Sequence, residues 1–256
     1  MRRKNLGSRI VKKAITWAMI VMMSFSGAMS GFASMTAATQ YRAVFFDFDG
    51  TLANTIDLIV ATFEHTCDTA LGFKPARQRI VDTIGLPLGD ALELLSGIHE
   101  EERILELRQI YGAFNAANHD IMIKPIPGVA ELLPKLKERG IKLAVVTSKK
   151  AYMLERGMQC LGMLPYIDTT VSVLDTERGK PAPDPMLLAC ERLGLAPREC
   201  LCVGDSPFDL QSGNAAGCVT VAVEYTQLNW QNLLEQGKPD YTIAHPLDLL
   251  KLIDIL

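Results

Sequence analysis

Short runs of apolar residues recur along the chain from residue 42 onward, and each run is nearly continuous instead of alternating with polar residues. Continuous apolar runs of this length are typical of strands that are buried on both faces of a parallel sheet. The predicted strands are Arg42–Phe46, Ile141–Val146, Val171–Leu174, Cys200–Val203 and Val219–Val223.

Helical patterns lie between these runs, with apolar residues three or four positions apart. The predicted helices, each followed by a glycine that caps its C-terminus, are Val129–Arg139, the segment from Asp184 to Leu193, and Phe208–Ala216. Asp184 is expected as an N-cap because Pro185 suits the first helical position. Strands that alternate with helices predict an α/β fold, a Rossmann-like doubly wound parallel sheet with its ligand groups at the carboxyl ends of the strands.

Residues 56–126 depart from this alternation. They contain no strand-like run, only amphipathic helical patterns at Ile56–Leu71, Leu88–Leu95 and Glu101–Asn115. We expect an inserted α-helical cap subdomain that covers the strand ends as a lid, although a subdomain that only packs against the core would show the same pattern. Residues 41–55 and 127–256 would then form the core.

Composition is that of a globular protein, with 48% hydrophobic and 21% charged residues in a chain of 256. The formal net charge of -3 hides an asymmetry, because residues 1–40 hold six basic residues and no acidic residue. The remainder has 20 basic and 29 acidic residues, a net charge of -9. Nucleic acid is therefore not expected as a partner, since binding its phosphate backbone requires a basic surface.

The first 34 residues are typical of an export signal, with a basic start, an apolar run from Ala14 to Met23 and small residues at Gly31–Ala33. A start assigned too far upstream is the alternative, because Met35 lies just ahead of the first strand. The run is too short for a membrane span, and none is expected in the body. The six cysteines lie in apolar segments without CxxC spacing and predict reduced core thiols. They favour a cytoplasmic location, with export as the alternative if the leader is genuine.

Two aspartates, Asp47 and Asp49, follow the first predicted strand in the stretch VFFDFDGTLANT. A hairpin turn would need alternating strands on both sides, but the downstream segment has a helical pattern. A calcium loop would need glycine at its sixth position and glutamate at its twelfth, where this chain has Leu52 and Leu58. The remaining interpretation is a site at the carboxyl end of a buried strand.

Polar residues also follow other predicted strands. The segment Thr147-Ser148-Lys149 offers hydroxyl and N–H donors, and GDSPFD contributes Asp205 and Asp209. Lys180 is a cation in a loop that two prolines stiffen. Each of these residues alone is more typical of a helix cap or a solvated loop charge. Together they predict several carboxylates beside one lysine.

Carboxylates that crowd together raise one another's pKa values unless a cation lies among them, and Mg²⁺ prefers oxygen ligands of this kind. Such a pocket could bind a phosphate whose charge the metal, Lys180 and nearby donors offset. A carboxylate aligned with phosphorus could then attack it and divide a difficult hydrolysis into two steps through an aspartyl-phosphate.

In their order along the chain, these motifs resemble the haloacid dehalogenase (HAD) superfamily, over about Tyr41 to the C-terminus. DFDGT resembles the first motif, Thr147 the second, Lys180 with its prolines the third and GDSPFD the fourth. The resemblance implies that Asp47 is the nucleophile, that Asp49 is the general acid/base, and that Lys180 offsets charge. It also implies a phosphate site and a Mg²⁺ site: the phosphate-binding residues are Thr147, Ser148 and Gly50, and the metal-binding residues are Asp47, Asp49 through its backbone carbonyl, Asp205, and Asp209 as a supporting or water-mediated ligand.

The insertion resembles the cap of the phosphoglycolate-phosphatase-like branch, with Ile84–Leu88 similar to its substrate loop. FEHTCDTALGF and TSKK are similar to segments of that branch's bacterial pyrophosphatases. This resemblance implies Mg²⁺-dependent hydrolysis of a small anionic phosphate substrate, either a phosphoglycolate-like monoester or pyrophosphate. The cap residues Lys74, Arg77 and Arg79 either contact an anionic leaving group or form a solvated basic loop.

Single residues help to distinguish three alternative functions. Dehalogenases of the superfamily lack the second acid of the first motif, whereas Asp49 is present here. Sugar phosphomutases similar to β-phosphoglucomutase carry a histidine ten residues after that acid, where this chain has Ile59. A phosphate-binding module without catalysis would be expected if Asp47 or Asp49 were replaced, and both are present. Phosphatase activity is therefore favoured, with the mutase and the binding module as alternatives.

Overall fold

The computed structural model describes residues 41–255. The predicted leader, residues 1–34, lies outside the described residues. Within residues 41–255 the strands are β1 (Ala43–Phe46), β2 (Ala53–Asn54), β3 (Lys124–Pro125), β4 (Lys142–Val146), β5 (Thr169–Val171), β6 (Cys200–Gly204), β7 (Val219–Val223) and β8 (Tyr241–Ile243).

The helices in the same part of the chain are α1 (Ile56–Leu71), α2 (Arg77–Val81), α3 (Leu88–Ser96), α4 (Glu101–Met122), α5 (Val129–Glu138), α6 (Ala151–Cys160), α7 (Asp184–Leu193), α8 (Pro207–Ala216), α9 (Trp230–Gly237) and α10 (Asp248–Ile255). Two single 3₁₀ turns lie at Leu164–Tyr166 and Pro197–Glu199. In this described part of the chain, no helix is both long enough and apolar enough to cross a bilayer.

Six strands form one parallel sheet in the order β5-β4-β1-β6-β7-β8. β1 is central, and Phe45 lies opposite Ala144 on one side and Cys202 on the other. Every residue of β1 is buried, as its continuous apolar sequence predicts. The carboxyl ends of β1, β4 and β6 therefore meet at the middle of one sheet edge. The predicted Rossmann-like α/β fold is confirmed.

Helices cover both faces of this sheet. Successive residues of a strand point to opposite faces, so Phe46 packs in the hydrophobic cluster that contains α5 and α6, while Phe45 packs in the cluster that contains α7. Leu133 of α5 and Met186 of α7 are almost fully buried in these two layers. Burial on both faces holds β1 rigidly, and the residues that follow it inherit a defined position.

Helices α1 to α4 pack around a hydrophobic cluster of their own, with Phe63 of α1, Leu92 of α3 and Leu107 of α4 almost fully buried. The chain enters this group through β2 and leaves it through β3, and the two strands pair antiparallel. Two adjacent strands therefore connect the helical insertion to the sheet.

Most predicted elements are present, with differences at their ends. The strand predicted at Val171–Leu174 is instead Thr169–Val171, and Leu174 is 78% exposed. Asp184 is the first residue of α7 and not its N-cap, which is Pro183, and its carboxylate accepts hydrogen bonds from Arg178. α4 continues seven residues past the predicted end at Asn115. The short edge strand β8 was not predicted, since only Ile243 of its three residues is a buried apolar side chain and so short a segment carries little apolar signal.

Candidate active site

Asp47 lies directly after β1, and its N–H donates to the carbonyl of Val203 at 3.0 Å, which continues the ladder between β1 and β6. Its carboxylate accepts a hydrogen bond from Lys180 Nζ at 2.7 Å. The same ammonium donates to Asp209 Oδ1 at 2.5 Å and to the Val146 carbonyl at 3.1 Å. Lys180 is 8% exposed, so this buried cation joins the ends of three strands.

Asp205 lies in the turn between β6 and α8, and Asp209 lies in the first turn of α8. Ser206 caps α8, and its hydroxyl and N–H both donate to Asp209 Oδ2, at 2.6 and 3.1 Å. Asp205 is 1% exposed, and Thr226 donates to its Oδ2 at 3.2 Å. Asp209 thus has partners on both oxygens, whereas Asp205 has a protein partner on one.

These acids form a group that fits a hard divalent cation. Asp47, Asp205 and Asp209 each offer one carboxylate oxygen, and the three oxygens lie within 4.8 Å of one another. All three donors are oxygen atoms, which suits Mg²⁺. Three buried carboxylates with one ammonium leave excess negative charge, so a cation among them would be stabilising.

The electrostatics of this group agree with that fit. Burial, together with the charges of Asp209 and Asp49, raises the pKa of Asp47 to about 7, although Lys180 opposes the shift. Burial and the two neighbouring carboxylates also raise the pKa of Asp205 well above its ordinary value. The pKa of Lys180 is raised by Asp209 and Asp47, which outweigh its burial. The lysine is therefore charged, and the acids favour a further positive charge.

Asp49 is held by different partners. Both of its oxygens accept hydrogen bonds from Lys149 Nζ at 2.7 Å, and Thr55 donates to its Oδ1 at 2.6 Å. Thr55 is fully buried and precedes α1, so Asp49 is tied to the connection between the sheet and the helical insertion. Lys149 was predicted only as part of a donor segment, and its ion pair with Asp49 was not anticipated.

Gly50 has φ +83° and donates its N–H to the Ala53 carbonyl at 2.8 Å. A Cβ at this position would lie 2.2 Å from Asp205 Oδ2, so glycine lets the turn after β1 approach that carboxylate. Gly50 lies beside Asp205 and is not among the residues that line the cavity described next. Phosphate binding by Gly50 stays a prediction.

A cavity of about 420 Å³ opens above the strand ends, between them and the helical insertion. Its floor carries all the predicted site residues other than Gly50: Asp47, Asp49, Thr147, Ser148, Lys180, Asp205 and Asp209. Ile59 lines its wall, at the position where the sugar phosphomutases have a histidine. Its roof includes residues 83–89, which contain the predicted substrate loop. The structure therefore brings the strand-end motifs and the predicted loop to one cavity.

Thr147 and Ser148 follow β4. The hydroxyl of Thr147 accepts a hydrogen bond from the Lys149 N–H at 3.2 Å, and Ser148 donates to the Gly85 carbonyl at 3.3 Å. A Cβ on Gly85 would lie 2.7 Å from the ring of Phe208, so this glycine lets the loop lie against the first turn of α8. The loop at Gly85 is thus in direct contact with the core in this structure.

The three basic residues considered for the leaving group, Lys74, Arg77 and Arg79, do not line the cavity. Lys74 pairs with Asp68, Arg77 with Asp57, and Arg79 donates to the Leu94 carbonyl. All three are exposed. Their expected contact with an anionic leaving group has no support in this arrangement, and the solvated-loop interpretation fits it.

Helix α4 contributes residues to the cavity that sequence reasoning missed: Arg108, Tyr111 and Asn115. The helix was predicted, but its polar residues are also compatible with a solvated face. Their spacing of three and four positions places them on one face of the helix, and this was the only indication in the sequence that they share a site.

Comparisons with known proteins agree with this geometry. A model of haloacid dehalogenase-like hydrolases matches residues 44–223. The PpaX protein of Clostridium perfringens (strain 13 / Type A) is 41% identical over 215 residues, which are 84% of this chain and 98% of that protein. The pyrophosphatase PpaX of Halalkalibacterium halodurans is 35% identical over 216 residues, with coverage of 84% and 98%.

Among solved structures, a predicted phosphoglycolate phosphatase from Haemophilus somnus 129pt is similar, with a TM-score of 0.77 and 26% sequence identity. The match covers 84% of this chain and 98% of that chain. Both the sequence relatives and this structure therefore match the chain over nearly their whole length.

Proposed function

The chain belongs to the haloacid dehalogenase-like hydrolase family, and on this basis we propose that it is a Mg²⁺-dependent phosphatase of small anionic phosphates. Its substrate would be a phosphomonoester such as phosphoglycolate, or pyrophosphate, and the reaction would pass through an aspartyl-phosphate on Asp47. The observation that carries the proposal is the buried group of Asp47, Lys180, Asp205 and Asp209 on the floor of one cavity.

In the first step, an oxygen of Asp47 attacks phosphorus, and the bond from phosphorus to the leaving oxygen breaks. Asp49 gives its proton to that oxygen. In the second step, Asp49 removes a proton from water, which attacks the phosphoryl group and releases phosphate and the free Asp47 carboxylate. The separate partners of the two acids support these separate roles, since Asp47 contacts Lys180 whereas Asp49 contacts Lys149 and Thr55.

Lys180 orients Asp47 and offsets negative charge between it and a bound phosphoryl group. Thr147 and Ser148 line the cavity beside these acids and would donate hydrogen bonds to phosphoryl oxygens. In the present arrangement Ser148 donates to the Gly85 carbonyl, so binding a phosphoryl group would require its hydroxyl to rotate.

Asp47 and Asp205 would hold Mg²⁺ together with the backbone carbonyl of Asp49. Asp209, both of whose oxygens have protein partners, would support the site from behind. When bound, Mg²⁺ would neutralise phosphoryl oxygens and lower the repulsion among the acids.

We propose that residues 56–126 act as the cap of this enzyme and residues 41–55 and 127–256 as its core. The cluster around Phe63 and the paired strands β2 and β3 support this division. The cavity volume suits a small substrate. Ile59 on its wall carries no acid or base, which favours the phosphatase over the sugar phosphomutase.

A cytoplasmic location is part of the proposal. All six cysteines are free thiols, and five of them are buried in apolar surroundings. Mass spectrometry of the native N-terminus in fractionated cells would test it. A start at Met35 or Thr36 in the cytoplasmic fraction is expected, and a chain cleaved near Ser34 in an exported fraction would contradict it.

Phosphate release from phosphoglycolate, pyrophosphate and sugar phosphates, measured with Mg²⁺ and with EDTA, tests the activity. Hydrolysis of phosphoglycolate and pyrophosphate is expected with Mg²⁺ and not with EDTA. Turnover that survives Asp47→Asn, or that EDTA leaves unchanged, would contradict the mechanism. Ligand-dependent melting shifts without phosphate release would favour a binding module instead.

A further inference from the structure

One face of α4 lines the cavity with polar groups. Arg108, Tyr111, Gly112 and Asn115 are spaced three, four and seven positions apart and line the same cavity as Asp47. Asn115 is buried, Tyr111 is half-buried and Arg108 is exposed, so this face borders an open cavity and not the protein interior. It presents a guanidinium, a phenol and an amide to the same cavity as the reactive carboxylates.

The charge of Arg108 is available to a ligand. Among the cavity's other cations, Lys180 is bound to Asp47 and Asp209, and Lys149 is bound to Asp49. Within residues 41–255, Arg108 makes no salt bridge, although most other arginines of that part do. Lys150 also lines the cavity without a salt bridge, but it belongs to the core and not to the helical insertion.

The absence of a side chain at Gly89 leaves room for the guanidinium of Arg108. A Cβ on this buried residue would be 2.0 Å from Arg108 Nη2 and 3.1 Å from Cζ. Any side chain at position 89 would therefore displace the end of Arg108. Gly89 lies in α3, next to the predicted substrate loop, so the guanidinium is placed against the roof of the cavity.

Tyr111 lies one turn further along α4. Its ring packs edge-on against the ring of Phe63, with 4.9 Å between the two ring centroids. Burial and the charge of Asp49 raise the pKa of Tyr111, so its phenol stays protonated and can donate a hydrogen bond. The edge contact restrains the ring, and the hydroxyl is the only polar group that this side chain offers to the cavity.

From this arrangement we propose that Arg108 and Tyr111 form the subsite for the leaving group and select substrates whose leaving group is negatively charged. A guanidinium binds a carboxylate or phosphate through parallel hydrogen bonds, so pyrophosphate and phosphoglycolate both suit the subsite. An alkyl phosphate with a neutral leaving group would leave Arg108 without a partner. This inference rests on the proposed phosphatase function and defines its substrate class.

The test compares phosphoglycolate and pyrophosphate with 2-hydroxyethyl phosphate, in which a neutral hydroxymethyl group replaces the carboxylate of phosphoglycolate. In the full-length Arg108→Gln protein, kcat/KM for the two anionic substrates should fall about 10- to 100-fold, because a charged hydrogen bond is lost. For 2-hydroxyethyl phosphate it should change by less than about threefold. Arg79→Gln, in an exposed arginine outside the cavity, is the matched control and should leave all three values unchanged.

Gly89→Ala provides a second test that keeps the charge of Arg108. It should lower kcat/KM for the anionic substrates by displacing the guanidinium, without loss of thermal stability, since alanine favours a helix. Combined with Arg108→Gln, it should have little further effect, because two changes that act through one contact are not additive. Tyr111→Phe should lower kcat/KM for the same substrates by a smaller factor.

The outcomes separate this inference from the proposed function. If the unaltered chain hydrolyses the substrates and Arg108→Gln lowers all three values equally, the subsite is overturned while the phosphatase function stands. Additive effects of Gly89→Ala and Arg108→Gln would also overturn it. No turnover of any substrate by the unaltered chain with Mg²⁺ would overturn both.

Discussion

Lys180 Nζ lies 2.7 Å from Asp47 Oδ1, although 133 residues separate the two along the chain. Both side chains are almost fully buried, so this ion pair is shielded from solvent. The same ammonium contacts Asp209, and one cation therefore compensates two acids from different strand ends.

Removal of that cation should destabilise the fold as well as stop turnover. Lys180→Met leaves Asp47 and Asp209 buried without their partner, and breaking a buried pair in this way costs about 3–5 kcal/mol of unfolding free energy. Urea unfolding with EDTA measures this loss. Lys124→Met, in an exposed lysine of β3, is the control and should change stability by less than about 0.5 kcal/mol. Equal stability of the two variants would show that the buried pair is not needed.

Asp47→Asn should lower kcat at least about 1,000-fold, because the amide cannot form the acyl-phosphate. The folded state should persist, since asparagine has the same shape and burial disfavours the charged form of Asp47. Phosphate release and thermal melting are the measurements. The control is Asp82→Asn, in an exposed acid of the helical insertion whose carboxylate is bound by Gln78. Nucleophilic attack by Asp47 would be wrong if the first variant kept its turnover.

Stability of the metal-free protein should depend on pH through Asp47. Its ordinary pKa is 3.8, and in the folded protein it is about 7. Between these values the folded chain retains a proton that the unfolded chain has lost, so the free energy of unfolding falls as pH rises from about 4 to about 7. Urea midpoints across this interval should show the decline with EDTA.

Mg²⁺ should oppose the decline, because its binding is favoured by the ionised acids and so strengthens as pH rises through the same interval. Asp47→Asn should show a shallower dependence on pH in the absence of metal. A metal-free protein whose stability rises between pH 4 and 7 would contradict the raised pKa of Asp47.

Gly50→Ala should weaken Mg²⁺ binding about tenfold or more, since the added Cβ would lie 2.2 Å from Asp205 Oδ2 and displace that carboxylate. Gly140→Ala is a matched control, because Gly140 has a similar φ of +75° but no atom within 4 Å of the added Cβ. Both variants should lose about 1 kcal/mol or more to backbone strain. Calorimetric titration of Mg²⁺ separates the two effects, and equal affinities in the variants would contradict the role of Gly50 beside Asp205.

Thr55→Val should lower kcat about tenfold, because Asp49 loses the hydroxyl that holds its Oδ1 at 2.6 Å. Thr66→Val removes another buried threonine hydroxyl, which donates to the Thr62 carbonyl within α1. Both should lose stability, by about 1 to 3 kcal/mol. Of the two variants, only Thr66→Val should keep the kcat of the unaltered chain. A loss of kcat in both variants would indicate a general effect of destabilisation and not the orientation of Asp49.

Much of the fold could be predicted from local sequence. Val219–Val223 was predicted to the residue, because a short run of mostly β-branched residues that follows a glycine-capped helix is typical of a buried strand. The two short edge strands, β5 and β8, were harder to predict. At Val171–Leu174 the apolar run continues past the strand, and Leu174 is exposed at the cavity rim. Apolar character alone does not distinguish a buried strand end from a residue that faces a ligand cavity.

Local sequence patterns were enough to show which residues lie at strand ends, because the order of elements in a parallel sheet places Asp47, Thr147 and Asp205 at one edge. The pairing of each cation with its acid is visible in the folded chain and not in the residue order. Lys149 contacts Asp49, Lys180 contacts Asp47 and Asp209, and Arg108 has no acidic partner within residues 41–255. An ion pair depends on distances of a few ångströms between groups far apart in the chain, and these distances cannot be inferred from residue spacing.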